Sequence, residues 1–393
     1  MVFFERKIHA ALKEHLGKKQ ITVITGMRRT GKTTLAKHLL SETPSENKLY
    51  IDLERVDNRE IFLEKNYENT IHYLHERGLD FSRKCFIAID EIQKVPEVAS
   101  VLKYLYDNYD IKFIITGSSS YYLKDLFSES LAGRKKIFEL FPLNFGEFLT
   151  FKKIQFASED FSKKKFSKAE FERLKSYYKE FIEFGGFPEV VLAQNKTDKK
   201  DLLSDILSSY VNIDIKSLAD FRDSKNVYNL IKLLSGRVGT RLDYSKISIL
   251  SGISRPTVMN YIDFFEKTYL IKRIPVLTKR PDKEIVKAQK LYFCDNGITS
   301  LLFEQSSGTK FENTVFNQLR HKGELRYYAL KSGKEIDFIL NERIAFEVKE
   351  SPIPQDLKSL SNLAKLAGIK EFRLIGKNQV PKFDNYIWAG SIK

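Results

Sequence analysis

Ile21-Thr-Val-Ile-Thr25-Gly26-Met27-Arg28-Arg29-Thr30-Gly31-Lys32-Thr33-Thr34 decides the fold of this 393-residue chain. Its first five residues read as a buried strand, and Leu35, Leu39 and Leu40 continue beyond it at helical spacing. Between strand and helix stands a complete G-x-x-x-x-G-K-[ST] loop, in the setting its chemistry requires. Gly26 and Gly31 accept backbone angles that turn several N–H groups toward the β- and γ-phosphates of a nucleotide. The following helix adds its positive N-terminal end. Lys32 is expected to neutralise the terminal phosphates, and the Thr33 hydroxyl to ligate Mg²⁺. Gly26, Arg28, Arg29, Thr30, Gly31, Lys32, Thr33 and Thr34 are thus the expected nucleotide contacts, with ATP and Mg²⁺ as cofactors.

Downstream, Leu49-Tyr-Ile-Asp-Leu53 reads as a second strand, followed by a charge-rich helical connection to about Lys84. Cys85-Phe-Ile-Ala-Ile-Asp90-Glu91 is a buried strand ending in two carboxylates. Ligands of a parallel sheet sit at the carboxyl ends of its strands, so Asp90 falls beside the phosphate loop. There Asp90 can hold Mg²⁺, directly or through water, while Glu91 orients and deprotonates the attacking water. A further strand, Ile111 to Gly117, runs into Ser118-Ser119-Ser120, where Thr116 or Ser118 can sense the γ-phosphate. Serines beside a glycine are also ordinary turn chemistry. Leu131-Ala-Gly-Arg134 precedes a strand expected over Ile137 to Phe141. Arg134 can project into a neighbouring subunit's nucleotide as an arginine finger, or anchor its own loop.

These ordered motifs resemble the AAA-type P-loop ATPases of bacteria and archaea. They are more narrowly similar to the group whose C-terminal half is a domain of unknown function related to restriction-type nucleases. Phe141-Pro-Leu-Asn-Phe-Gly-Glu-Phe148 and Gly185-Gly186-Phe187-Pro188-Glu189 match that group as well. The resemblance implies a five-stranded parallel sheet followed by a helical lid, with ATP between them and Phe187-Pro188 near the adenine. No arginine of the lid is assigned to the second sensor position.

The remaining chain divides by rhythm. The expected organisation is α/β throughout: a P-loop NTPase core over 1–150, a helical lid with a Lys-rich insert over 151–222, a winged helix over 223–280, and a restriction-endonuclease-like domain over 281–393. The insert carries Lys163-Lys164-Lys165, most simply a solvated loop or helix end. A helix ending at Phe184 meets Gly185-Gly186, a stop signal, and helices follow from Asp201 to Leu218. Asp243 to Leu250 is one short helix, Ser251-Gly252-Ile253 a turn, and Ser254 the cap of a second helix with Pro256 in its first turn. Tyr269 to Val276 is the expected wing. If this element reads DNA, Arg255, Thr257 and Asn260 face it, whereas Asp263 and Glu266 repel phosphate. Packing or partner binding is the alternative.

After Lys290, a helix carrying Glu312 precedes three strands, Leu325 to Leu330, Lys334 to Leu340 and Ile344 to Lys349. Side chains alternate along a strand, so Glu335 and Asp337 share one face, as do Glu347 and Lys349. Asp337 followed by Glu347-Val-Lys349 is similar to the metal site of the restriction-endonuclease-like superfamily. Asp337 and Glu347 can hold Mg²⁺, Glu312 can complete the shell, and Lys349 can position the attacking water. An active nuclease, a turnover-free DNA-binding domain and a structural relic of such a fold all fit the pattern.

Composition sets the outer bounds. A net charge of +15 favours acidic partners such as DNA, and 42% hydrophobic residues make the chain globular. Cys85 and Cys294 both lie in apolar runs, against a disulfide framework and in favour of a reducing compartment. No signal-like start or membrane-length apolar run is found, so a cytoplasmic protein without membrane contact is expected. His72 and His75, one helical turn apart, have no cysteine or third histidine beside them and make a poor zinc site. The expected activity is ATP hydrolysis controlling a C-terminal DNA-binding or nuclease-like module, in a chain able to form homo-oligomers. The alternative is a regulatory ATP switch acting on protein partners, with an inactive C-terminal domain.

Overall fold

The computed structural model of the chain describes residues 3–118, 131–157, 160–215, 224–278 and 288–393. It has two compact units: Met1–Phe141 with Lys267–Tyr269, and Pro142–Glu266 with Leu270–Lys393.

The first unit is built on five strands: β1 (Ile21–Thr25), β2 (Lys48–Asp52), β3 (Cys85–Asp90), β4 (Ile111–Gly117) and β5 (Lys135–Glu139). Their order is β2-β3-β4-β1-β5 and every pairing is parallel. All residues of β1, β3 and β4 are buried. Continuous apolar runs are what a parallel sheet covered on both faces demands. Val23, Ile87 and Ile115 pack on one face with Leu102 and Leu105. Ile24, Ala88 and Ile114 pack on the other with Leu35, Leu39 and Leu12. Leu12 belongs to α1 (His9–Leu16), and Leu35 and Leu39 to α2 (Lys32–Ser41).

A lysine stands in the middle of this apolar sheet. Lys112 of β4 is 1% exposed, and its ammonium donates to the carbonyls of His15 and Lys18, both at 2.8 Å. A buried cation persists only when its donors are satisfied, and here it pins the turn that leads from α1 into β1. The last strand differs from the sequence expectation: it covers Lys135–Glu139 rather than Ile137 to Phe141, because its register is fixed by Ile21↔Lys135 pairing at the N-terminal end of β1.

The second unit opens with helix Phe145–Phe151, whose Asn144 and Glu147 form a reciprocal capping box. Helix Lys168–Phe184 stops at Gly185, with φ of 74°. A Cβ at Gly185 would lie 2.1 Å from the Asp295 carboxylate, so only glycine fits there. Helix Lys196–Ser209 runs on as a π-turn segment, Tyr210–Ile215, and the expected continuation to Leu218 lies outside the described residues.

The helix-turn-helix rhythm is realised as Tyr244–Ser251, capped by Asp243, and Arg255–Lys267, separated by Gly252 in the left-handed region. The expected wing strand shortens to β6 (Ile271–Ile274) and pairs antiparallel with β7 (Lys290–Phe293). Lys279 and Arg280 fall outside the described residues. Beyond β7 lie helix Ser307–Leu319 and a mixed sheet of β8 (Leu325–Ala329), β9 (Glu335–Leu340), β10 (Ile344–Lys349), β11 (Glu371–Gly376) and β12 (Ile387–Trp388). The order is β12-β11-β10-β9-β8, antiparallel from β8 to β10 and parallel from β10 to β12. Helix Pro354–Ala367 makes the crossover that a parallel β10–β11 pair requires. No helix among the described residues is long and apolar enough to cross a membrane.

Candidate functional site

At the carboxyl edge of the first sheet, Thr25 pairs with Gly117 and Ile89 with Ile115. The loop after β1, the Asp90-Glu91 pair and Thr116 to Ser118 therefore emerge along one edge. The loop leaves β1 tightly: a Cβ on Gly26 would lie 2.1 Å from the Leu140 carbonyl oxygen. Gly31 takes φ of 94° as the N-cap of α2, with open space where a Cβ would be. Arg29 also adopts a positive φ, 64°. Alternation of this kind aims backbone N–H groups into one concavity, an anion nest.

Lys32 is buried, and its ammonium donates to the carbonyls of Gly26 at 2.9 Å and Met27 at 3.0 Å. The loop is further tied by Thr30 Oγ1 donating to Met27, and by Arg6, whose guanidinium donates to the carbonyls of Thr30 at 2.9 Å and Phe141 at 2.7 Å. Arg28 lies 3.9 Å from Glu54, Arg29 is exposed, and Thr33 and Thr34 stand half-buried and exposed in the first turn of α2.

Asp90 ends β3 with both carboxylate oxygens engaged. Tyr50 donates to Oδ2 at 2.7 Å, and the Thr116 hydroxyl donates to Oδ1. Burial, followed by the hydrogen bond to Asp90, pushes the Tyr50 phenol far above its ordinary range, so it stays a donor. Glu91 sits at φ of 54°, a conformation rarely held by a non-glycine residue. Its backbone N–H donates to Thr116 Oγ1 at 3.2 Å. Gln93 joins the group through Nε2, donating to the Glu91 carboxylate and to Ser118 Oγ at 2.8 Å. The Gln93 Oε1 atom is buried without a partner. Carboxylate and hydroxyl oxygens at a strand edge are a hard donor set, suited to Mg²⁺. Tyr50 and Arg6 carry no motif of their own, and Gln93, which closes the Ile89-Asp-Glu-Ile-Gln93 run, has no role assigned from sequence.

Arg134 forms a two-point ion pair with Asp107, at 2.9 and 3.0 Å. That is the loop-anchoring geometry within one chain. Ser119 and Ser120 lie outside the described residues.

In the second unit, a cluster assembles from β7, helix Ser307–Leu319, β9 and β10. The Val348 N–H donates to Asp337 Oδ2 at 2.9 Å, and Lys349 pairs with Glu347 at 2.7 Å. At its centre is a residue the sequence did not single out. Lys290 of β7, 1% exposed, places its ammonium 2.7 Å from Glu335, 3.7 Å from Asp337 and 3.9 Å from Glu312. Arg241 also pairs with Glu335 at 2.9 Å, and Tyr292 donates to Glu312 at 2.7 Å. Among the described residues, Glu312, Asp337 and Glu347 do not bring three oxygens within 4.8 Å of one another. Glu312, Glu335 and Asp337 thus all lie within 4 Å of the Lys290 ammonium, and Glu347 pairs with Lys349. Glu347 Oε2 is buried without a partner, which fits a divalent ion on Asp337 and Glu347. Burial and the Asp337 charge push the Glu347 carboxyl up to about 7, and the same two causes push Glu312 up to about 7.

In the helix-turn-helix, Arg255 and Asn260 are exposed and Thr257 half-buried. Asp263 and Glu266 do not stand as bare charges: Arg273 of β6 pairs with them at 2.7 and 2.6 Å.

The fold and the loop define an AAA-type nucleotide-binding domain, and residues 18–149 match the AAA domain family. Residues 175–309 and 307–393 match two domains of unknown function, DUF8612 and DUF4143. The uncharacterized protein MJ1544 of Methanocaldococcus jannaschii is 30% identical over 88% of this chain and 79% of its own length. The chain belongs to the same family as that archaeal protein. An uncharacterized protein of Haemophilus influenzae is 28% identical over 84% of each chain. The ADP form of the Aeropyrum pernix ORC2 protein is similar at 12% identity and a TM-score of 0.38, over 74% of this chain and 90% of that one.

Proposed function

We propose that this protein is an ATP-hydrolysing AAA-type enzyme whose nucleotide state controls a C-terminal DNA-binding or nuclease-like module. The observation that carries the first half is the chain of contacts Tyr50–Asp90–Thr116–Glu91–Gln93–Ser118 along the sheet edge that also bears the phosphate loop. The loop N–H groups and Lys32 bind and neutralise the phosphates. Thr33 and Asp90 are the residues that would hold Mg²⁺, which supplies charge neutralisation at the β- and γ-phosphates. Glu91 takes the proton of the attacking water, with its carboxylate oriented by Gln93. Thr116 and Ser118 link that carboxylate's position to the γ-phosphate. Arg134 acts as a finger on a neighbouring copy once released from Asp107, which makes a homo-oligomer the working form.

The second half rests on the Arg273 pairing, which removes the phosphate repulsion of Asp263 and Glu266 from the helix that presents Arg255, Thr257 and Asn260. It rests also on the Asp337–Glu347 pair with its unpartnered buried oxygen. In this reading 151–222 is the lid, 223–280 the winged helix and 281–393 the nuclease-like domain, with β7 completing the wing. A different observation favours a protein partner instead. Ile249 is 82% exposed and Leu250 57% exposed on the first helix of the pair, an apolar surface ill suited to phosphate. ATP turnover measured with and without single- and double-stranded DNA, alongside mass measurement with bound ATP, decides between them. DNA-stimulated turnover supports the module; indifference to DNA supports the protein-directed switch.

A further inference from the structure

The N-terminal helix and the phosphate-loop helix are joined by a group that takes no part in the nucleotide site. Among the described residues, one set of His, Cys, Asp or Glu side chains brings three potential metal-ligand atoms within 4.8 Å of one another: His9, His38 and Glu42. His9 stands on α1; His38 and Glu42 stand one turn apart at the end of α2, on the same face. His9 Nε2 lies 2.7 Å from Glu42 Oε2, and His38 Nε2 lies 3.9 Å from Glu42 Oε1. Tetrahedral ligands bound at zinc distances are about 3.3 Å apart, so small side-chain rotations close the set on one ion.

The surroundings are those of a built site rather than a chance meeting of surface groups. His9 is 6% exposed. Its other ring nitrogen, Nδ1, lies 3.6 Å from Glu5 Oε1, an ion-pair distance from which a side-chain rotation would form the carboxylate–imidazole hydrogen bond of metal-binding histidines. The His38 ring is held by stacking on Phe3, with centroids 3.5 Å apart and planes 18° apart. Lys13 donates to Glu42 Oε1 at 3.0 Å, the oxygen nearer His38, while Oε2 meets His9. Two imidazoles and one carboxylate select a zinc-class ion over Mg²⁺ or Ca²⁺, which prefer all-oxygen shells.

We infer that His9, His38 and Glu42 bind one divalent ion of the zinc class, with water as the fourth ligand, and that the ion staples α1 to the last turn of α2. Because the first turn of α2 carries Lys32 and Thr33, the ion stiffens the helix that presents the phosphate loop. The competing account is a metal-free ion pair between His9 and Glu42.

Chelator-stripped full-length protein, titrated with Zn²⁺ against a chromophoric chelator in excess Mg²⁺, tests this. One equivalent of Zn²⁺ is expected, and Co²⁺ in its place should give the visible absorption of a four-coordinate His/carboxylate site. His38→Gln and Glu42→Gln should each weaken uptake on the order of 100-fold, and Glu5→Gln about 10-fold. His72→Ala should leave uptake unchanged. Uptake unaffected by His38→Gln, or no uptake by the wild-type chain, overturns the site and leaves the ion pair. Should His38→Gln fail to fold, the wild-type Co²⁺ spectrum still decides, since an all-oxygen octahedral spectrum contradicts the assignment.

Discussion

Lys32, Asp90 and Glu91 were legible in the sequence because each has a fixed place relative to a strand end: the loop after β1 and the acid pair after β3. Their supports were not legible. Tyr50 reaches Asp90 from a neighbouring strand, and Gln93 reaches Ser118 across 25 positions of sequence. Such contacts exist only once strand order is known. Gln93 holds the Glu91 carboxylate against Ser118, so its loss frees the base to rotate without touching the phosphate cradle. Gln93→Ala should lower ATP turnover on the order of 10-fold and leave ATP affinity intact, a loss at the lower edge of what general-base catalysis contributes. Matched losses in affinity and turnover would place Gln93 in binding instead. Lys290 is the other residue that sequence alone passed over. A lysine at the start of a short strand looks solvated, and only the pairing of β6 with β7 carries it inside.

At the scale of elements, the apolar strands of the first sheet were readable from composition, while the start of β5 depended on pairing with β1. The C-terminal sheet was half readable. Three strands carried the alternation, but β11 and the two-residue β12 form only by parallel addition to β10. Two elements yield stability predictions. His15 of α1 accepts or shares a hydrogen bond with Thr22 of β1 at 2.8 Å, and its pKa is lowered to about 4 by burial first and the Lys112 charge second. As pH falls, the unfolded chain takes up this proton near 6.5 and the folded chain only near 4. Stability from this group is thus complete above the unfolded value and is lost toward the folded one. Between pH 7.5 and 4.5, urea unfolding should show the wild type losing about 2 kcal/mol more than His15→Gln. An equal loss in both proteins would mean the ring is not kept neutral. In the second unit, Lys290→Met strands Glu335, Asp337 and Glu312 beside one another. It should destabilise the protein by about 3 kcal/mol, and Mg²⁺ should raise the melting temperature of the variant more than that of the wild type. A variant as stable as the wild type, with no Mg²⁺ response, would contradict the central role of this ammonium.

For the whole molecule, order of motifs carried the class of protein, because a phosphate loop, an acid pair and a polar strand end can share one edge only in a parallel sheet wound this way. What a linear reading could not draw was the continuity between segments, since β7 pairs back onto β6 across the expected boundary at 280 and 281. Assembly is tested by Arg134. If it serves a neighbouring copy, Arg134→Ala lowers turnover on the order of 10³-fold with ATP affinity nearly unchanged. Mixing those chains with Glu91→Gln chains should restore part of the activity, because one then supplies the finger and the other the base. No rescue where the protein is demonstrably oligomeric leaves Arg134 as the anchor on Asp107. The most direct test of the account compares Lys32→Ala and Glu91→Gln for equilibrium ATP binding and phosphate release in the same buffer with Mg²⁺. Lys32→Ala is predicted to lose tight binding, whereas Glu91→Gln is predicted to bind ATP as the wild type does and to turn it over about 10² to 10⁴ times more slowly. Wild-type phosphate release from Glu91→Gln would contradict the assignment of the base, and undiminished ATP binding by Lys32→Ala would contradict the site itself.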